Sequence, residues 1–239
     1  MLKKLTVLLL VSWLLIAATA CNTIRGNTQE PVSSPVPSAL VSPSAAPSHS
    51  PVTLLNGYAT FEDTVAGYRI QYPERLLLLS SGLAEEVKEE TLELLPAELK
   101  SSVDLNSIQA IWFDLESLDF ATNMNLVVTS APALTQVLLK NAAMIKELEA
   151  QIKEMNALMV DDFTIIEEMN GRTIGNNYYL IYKGSYTLQG KKIYVTQALS
   201  AGEGNMYTVS LTTDVEDTTK AMPEFETMLS TLEFIPKVL

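Results

Sequence analysis

Lys192-Ile193-Tyr194-Val195-Thr196-Gln197-Ala198-Leu199-Ser200-Ala201-Gly202-Glu203-Gly204-Asn205-Met206-Tyr207-Thr208-Val209-Ser210-Leu211-Thr212-Thr213 decides the fold. Two runs rich in β-branched and aromatic residues, 192–200 and 206–213, flank a segment of Gly, Glu and Asn. That composition marks a tight turn between antiparallel strands. Gly202-Glu203-Gly204 is not a phosphate loop, because no Lys-Ser/Thr follows it and no helix begins there. Working outward, residues 177–186 form the preceding strand and turn at Gln189-Gly190. Residues 163–169 form the one before, and Asn170-Gly171 reads as its tight turn. Downstream, a helix over 215–231 leads to a short extended end at 232–235. Four consecutive strands with helices before and after predict an α+β fold, with helices packed on an antiparallel sheet.

The earlier part of the domain holds further strands and helices. Residues 58–62 and 68–72 read as strands. In the second, Tyr68, Ile70 and Tyr72 alternate with Arg69 and Gln71, the period of a half-buried strand, and Pro73 ends it. Residues 83–95 are helical in character, and 108–113 and 124–129 are two more strands. The strongest helix is 134–159. Leu134, Leu138, Ile145, Leu148, Ile152, Met155 and Met159 recur at helical spacing, and Glu149 and Lys153 form an i,i+4 pair. Its stripe most simply covers the sheet, although it is long enough to pair with a partner helix.

Cys21 is the only cysteine of the 239 residues. It follows Lys3 and Lys4, an apolar run, and the small residues Ala17, Ala18 and Ala20. A basic start, a short apolar stretch and small residues make a secretory signal, here too short for a spanning helix. From Asn22 to Val52, Pro31, Pro35, Pro37, Pro43, Pro47 and Pro51 recur among Ser, Ala and Val, with no aromatic residue. Such a segment buries too little apolar area to offset its ordering entropy. Extended at about 3.1 Å per residue, it reaches roughly 90 Å. The divisions are therefore a signal at 1–20, a disordered Pro/Ser-rich tether at 21–53 and one folded domain at 54–239.

Composition narrows the function classes. His49 is the only histidine and lies in the tether, which argues against Ser-His-Asp or Cys-His catalysis and histidine-based zinc sites. The net charge is −12. Setting aside Lys3, Lys4, Arg25 and Glu30 leaves −14 on the domain. An acidic domain disfavours nucleic acid and anionic lipid headgroups.

Asp161-Asp162 and the set Asp114, Glu116 and Asp119 are the best carboxylate groupings. Neither has the spacing of a calcium loop, so solvated loop charges are the expectation. Paired carboxylates could serve glycoside hydrolysis, which keeps an extracytoplasmic hydrolase as the alternative function. A solute or metal carrier is the third. Tyr178, Leu180 and Tyr182 share one face of their strand, and Tyr179, Ile181 and Lys183 the other. Apolar residues on both faces predict a central strand covered by helices on both sides. With Tyr186 these tyrosines could instead form a sugar or peptide platform. No catalytic, cofactor-binding or metal-ligating residue is assigned.

Two resemblances add to this reading. Ile16-Ala17-Ala18-Thr19-Ala20-Cys21 resembles the lipobox of bacterial lipoproteins, with Ala18 where Leu is usual. It implies a diacylglyceryl group on Cys21, cleavage before it, and a place on the outer side of a cell membrane. Two acyl chains give stable attachment where one is marginal.

Phe61-Glu62-Asp63, Gly67-Tyr68-Arg69-Ile70-Gln71-Tyr72-Pro73-Glu74 and Met124-Asn125-Leu126-Val127-Val128 resemble the PsbP-like domain. So does the closing Phe225-Glu226-Thr227-Met228-Leu229-Ser230-Thr231-Leu232-Glu233-Phe234. That family is named for an extrinsic photosystem II subunit and occurs in many bacterial lipoproteins. It usually has Trp soon after the proline, where this chain has Arg75-Leu76-Leu77. The resemblance implies an α/β/α sandwich around an antiparallel sheet, no catalytic residues and no cofactor. It also implies a binding or assembly role with a protein partner.

Overall fold

The structure is a computed structural model and describes residues 53–80, 107–114, 116, 122–159, 162–188 and 190–237. The signal, nearly all of the tether with His49, the helix expected at 83–95, Asp119 and Asp161 lie outside the described residues. Ten strands and two α-helices are described: β1 (Tyr58–Asp63), β2 (Tyr68–Pro73), β3 (Leu77–Ser80), β4 (Ile108–Phe113), β5 (Asn123–Ser130), α1 (Ala142–Met159), β6 (Thr164–Ile174), β7 (Asn177–Leu188), β8 (Lys191–Gly202), β9 (Asn205–Asp214), α2 (Thr218–Thr231) and β10 (Glu233–Phe234).

Seven strands form one antiparallel sheet in the order β3-β4-β5-β9-β8-β7-β6. The turn at Glu203-Gly204 joins β8 to β9, with both residues at positive φ, +48° and +74°. That is the twist a two-residue hairpin requires. β9 lies fourth of seven, and every one of its residues is buried. α1 and α2 cover opposite faces. Tyr179 and Ile181 of β7 pack with Phe225, Met228 and Leu229 of α2. Leu180 and Tyr182, one residue out of phase, pack with Leu148 and Ile152 of α1. This is the expected α+β sandwich with helices on both sides of an antiparallel sheet.

One departure concerns the first two strands. β1 and β2 do not join the large sheet. They pair with β10 in a separate sheet of order β1-β2-β10, with Tyr68 opposite Phe234. The small sheet packs beside α2. Phe61 and Tyr68 meet at 6.0 Å between ring centroids, Phe61 and Trp112 at 6.3 Å, and Tyr68 and Tyr207 at 5.9 Å. Ring pairs at such separations contribute beyond the area they bury. β2 is accordingly covered on both faces and not half-exposed. Arg69 on its second face bonds Glu233, and the Gln71 amide bonds the backbone of Thr53 and Leu55.

Asn170-Gly171 is not the turn. β6 runs through it to Ile174, and the chain reverses at Gly175-Asn176. Gly175 has φ +57°, and a Cβ there would lie 2.3 Å from the Ser230 carbonyl oxygen, so only glycine fits. The β6–β7 register shifts between Glu167 and Asn170, a bulge that carries the strand past the expected reversal. Gly171 answers a different need, because the Tyr178 hydroxyl occupies the place of its missing Cβ.

The long helix is also shorter than its periodicity. Leu138–Lys140 is a 3-10 turn, and α1 starts at Ala142. The Asn141 Oδ1 atom accepts from the N–H groups of Ala143 and Met144 at 2.9 and 3.3 Å, capping the new start. The tighter turn moves the stripe by one position, so Leu139 is buried where Leu138 was expected. The Glu149–Lys153 pair forms at 3.3 Å. α2 begins at Thr218, three residues later than expected. Among the described residues, no helix is long and apolar enough to cross a membrane.

Candidate functional site

The carboxylates singled out in the sequence are engaged by cations and backbone. Asp114 is buried and not a solvated loop charge. It receives Arg75 Nη2 at 3.1 Å and Lys220 Nζ at 3.3 Å. Lys220 also reaches Glu116 at 3.1 Å, and Arg75 reaches Glu224 at 2.5 Å. Five charges thus tie the corner before β3 and the end of β4 to α2. The hydrogen bond from Lys220 to Glu116 raises the lysine's pKa, while burial raises that of Glu224. Ammonium and guanidinium groups already neutralise these oxygens, so the arrangement does not suit a second cation. Asp162 Oδ1 accepts from Thr187 N at 3.0 Å, which links the start of β6 to β7, and hydrogen bonding to the Thr187 side chain and then its backbone lowers the Asp162 pKa. Among the described residues, no group of three or more His, Cys, Asp or Glu is placed to hold a metal ion.

Three of the four tyrosines of β7, Tyr179, Tyr182 and Tyr186, are core residues. Tyr179 donates to the Leu229 carbonyl at 2.7 Å, and Asn177 Nδ2 donates to that of Leu232 at 2.7 Å. These carbonyls end α2, where intrahelical donors run out, and that of Leu229 also accepts from Leu232 N at 3.4 Å. Burial raises the Tyr179 pKa, so it remains a donor. Tyr186 packs with Ile193 and Val195. Tyr178 is partly exposed, with Lys140 Nζ 4.8 Å from its ring centre. One ring does not make the platform considered from sequence.

A different group of residues carries unspent hydrogen-bonding capacity. Pairing places Asn125 of β5 opposite Ser210 of β9, Ser210 opposite Gln197 of β8, and Gln197 opposite Tyr182 of β7. This polar row crosses four strands on the α1 face. Tyr182 donates to Gln197 Oε1 at 2.6 Å, and Gln197 Nε2 donates to Ser210 Oγ at 3.0 Å. The chain of bonds stops there. Among the described residues, Asn125 Oδ1 has no partner, nor have Thr208 Oγ1 and Thr129 Oγ1 on the same face of the same two strands. Asn125 is 7% exposed and Thr208 1%. Thr212 donates to Asn123 Oδ1 at 3.4 Å beside them. Buried polar groups are nearly always paired, so three adjacent oxygens without partners mark an unusual place.

Sequence reading missed this patch. Thr208, Ser210 and Thr212 alternate with Val209 and Leu211, the usual pattern of a solvent-facing side. Only the depth of β9 shows that the polar side is buried. A hollow of about 360 Å³ where α1 meets β6 is lined by Lys153, Phe163, Thr164, Ile165 and Glu168. Lys153 there is already paired with Glu149.

No family model and no curated protein matches the chain. Solved structures resemble it in fold. The cyanobacterial PsbP of Synechocystis sp. PCC 6803 aligns with a TM-score of 0.48 and 14% identity, over 76% of this chain and 94% of that one. LpqN of Mycobacterium tuberculosis, described as involved in cell envelope biogenesis, aligns at 0.42 and 12%, over 76% and 93%. The Saccharomyces cerevisiae Ran-binding protein Mog1p aligns at 0.41 and 7%, over 75% and 96%. These likenesses concern the fold alone.

Proposed function

We propose that the chain is a lipoprotein held by a diacylglyceryl group on Cys21, standing outside the cytoplasm on its proline-rich tether. Its domain, 54–239, binds a partner and performs no chemistry. The observation that carries the binding role is the patch on β5 and β9, where Asn125, Thr129 and Thr208 hold hydrogen-bonding oxygens that no described residue satisfies. The carboxylates an extracytoplasmic hydrolase would need support structure here: Asp114 is held by Arg75 and Lys220, and Asp162 by the backbone of Thr187.

Two measurements test the proposal in intact cells. Cys21→Ser should release the protein from the membrane fraction, and unchanged retention would overturn the lipid anchor. Crosslinking of the full chain should capture a reproducible neighbour. Its consistent absence, together with no ligand-dependent change in melting temperature, would remove the binding role.

A further inference from the structure

We propose that the hollow where α1 meets β6 takes a small zwitterion with an apolar side chain, of the α-amino acid class. Its two walls carry opposite charges. Lys153 stands on α1 and Glu168 on β6, and both line a space of about 360 Å³. Lys153 pairs with Glu149 on its own helix and not with Glu168 across the hollow. The Glu167 carboxylate is held by Lys183, whereas that of Glu168 meets no cation among the described residues. An ammonium has three donors, and the contact to Glu149 at 3.3 Å leaves the others for a ligand. A molecule with its own carboxylate and ammonium answers both walls at once. A lone anion would face Glu168 and the field of an acidic domain, and a lone cation would leave Lys153 without a counterpart.

The lining between these charges is apolar and held in place. Phe163 and Ile165 supply it, both half-buried. A Cβ at Gly184 would lie 2.3 Å from the Phe163 ring, so the ring rests directly on the backbone of β7. The ring also packs against the apolar cluster beneath α1. A ligand side chain that meets a ring already fixed by its neighbours costs less ordering on binding. β6 is the outermost strand, and its pairing with β7 shifts register twice between Ile165 and Asn170, beside the hollow. Each shift leaves an extra residue outside the ladder, so main-chain groups there are not all spent on β7. The volume is near the lower end of ligand pockets, about 300–1,000 Å³, which suits a single amino acid or a dipeptide and not a polymer.

The test uses the full chain in detergent and follows thermal unfolding with L-leucine and with L-phenylalanine. Concentrations stay below about 10 mM, where such solutes scarcely act as excluded osmolytes. N-acetyl-L-leucine, which lacks the ammonium, and L-leucinamide, which lacks the carboxylate, serve as single-charge counterparts. The expected result is a saturable rise in melting temperature with at least one amino acid, and half-saturation at least about fivefold higher with either counterpart. Glu168→Gln should weaken leucine by about the same factor and leave N-acetyl-leucine unchanged, while Lys153→Gln should weaken leucine and leave leucinamide unchanged. Both side chains are exposed, so neither variant threatens the fold. No saturable rise with either amino acid would overturn the assignment. Counterparts that bind as tightly as leucine would do the same, and so would variants that respond as the parent does. The hollow is separate from the patch on β5 and β9, so a negative titration leaves the crosslinking experiment to decide the binding role on its own.

Discussion

The two faces of the seven-stranded sheet are built to different rules. On the α2 face, Tyr179, Ile181, Tyr207, Val209 and Leu211 meet an apolar helix and the aromatic side of the small sheet. Polar atoms at that helix's end are matched, as where Tyr179 caps Leu229. On the α1 face, the half beneath α1 is apolar, but β5 and β9 present Asn125, Thr208, Ser210 and Thr212, with some oxygens unmatched. The same strands serve both faces, so strand propensity does not cause the difference. Tyr68 Oη and Trp112 Nε1 on the α2 side are also unmatched among the described residues, but only on the α1 side do such atoms gather on two neighbouring strands.

Breaking the α2 face should cost most. Phe225 is 1% exposed at the centre of that contact. Phe225→Ala should destabilise the domain by about 3–5 kcal/mol, since it removes a buried ring and leaves a cavity. The urea midpoint measures the loss. A change below about 1 kcal/mol would mean that α2 is not the element sealing this face.

Gly175→Ala should cost less, about 2 kcal/mol. It places a side chain at positive φ and against the Ser230 carbonyl at the end of α2. The obstacle is backbone, which cannot swing aside as a flexible side chain would. Asn170→Ala, at the turn expected from sequence but found within β6, should change stability by less than about 0.5 kcal/mol. The two midpoints together decide where the hairpin reverses.

Tyr179→Phe keeps the ring and removes one hydrogen bond to α2. Leaving the Leu229 carbonyl without that donor should cost about 1–2 kcal/mol. Thr208→Val is the matching change on the other face and should have the opposite sign. It replaces an unpaired buried hydroxyl with a methyl of the same shape, for a gain of about 1 kcal/mol. If Thr208→Val destabilised as much as Tyr179→Phe, the hydroxyl would have a structural partner and the contrast between the faces would fail.

The hairpins of the large sheet were legible because strand alternation and turn residues are local signals. Glu203-Gly204 was read correctly for that reason. The same signal misled at Asn170-Gly171, where the bulge after Glu167 and the stacking of Tyr178 over Gly171 outweighed turn chemistry. Separation of β1 and β2 into a second sheet depends on β10, about 160 residues away in sequence, and no local pattern carries that. The polar patch was hidden for a related reason. Alternation tells which side chains share a face, but whether that face meets water depends on which strands flank it and what lies above.

Asp162 offers the smallest and most local test, outside both faces. Its carboxylate faces the Thr187 hydroxyl and accepts the Thr187 N–H, and hydrogen bonding to that side chain first, then to that N–H, lowers its pKa below the ordinary 3.8. A carboxylate with a depressed folded pKa stabilises the fold above its unfolded pKa, and the contribution is lost as pH falls through the folded value. The dependence therefore lies below about pH 4 and vanishes near neutrality. Asp162→Asn should lower the melting temperature slightly at pH 7 and flatten its decline between about pH 4 and pH 2. The residue is fully exposed, so solvent screening keeps the effect small. An unchanged acid limb in the variant would show that the link from Asp162 to β7 does not persist in solution, without touching either face of the sheet.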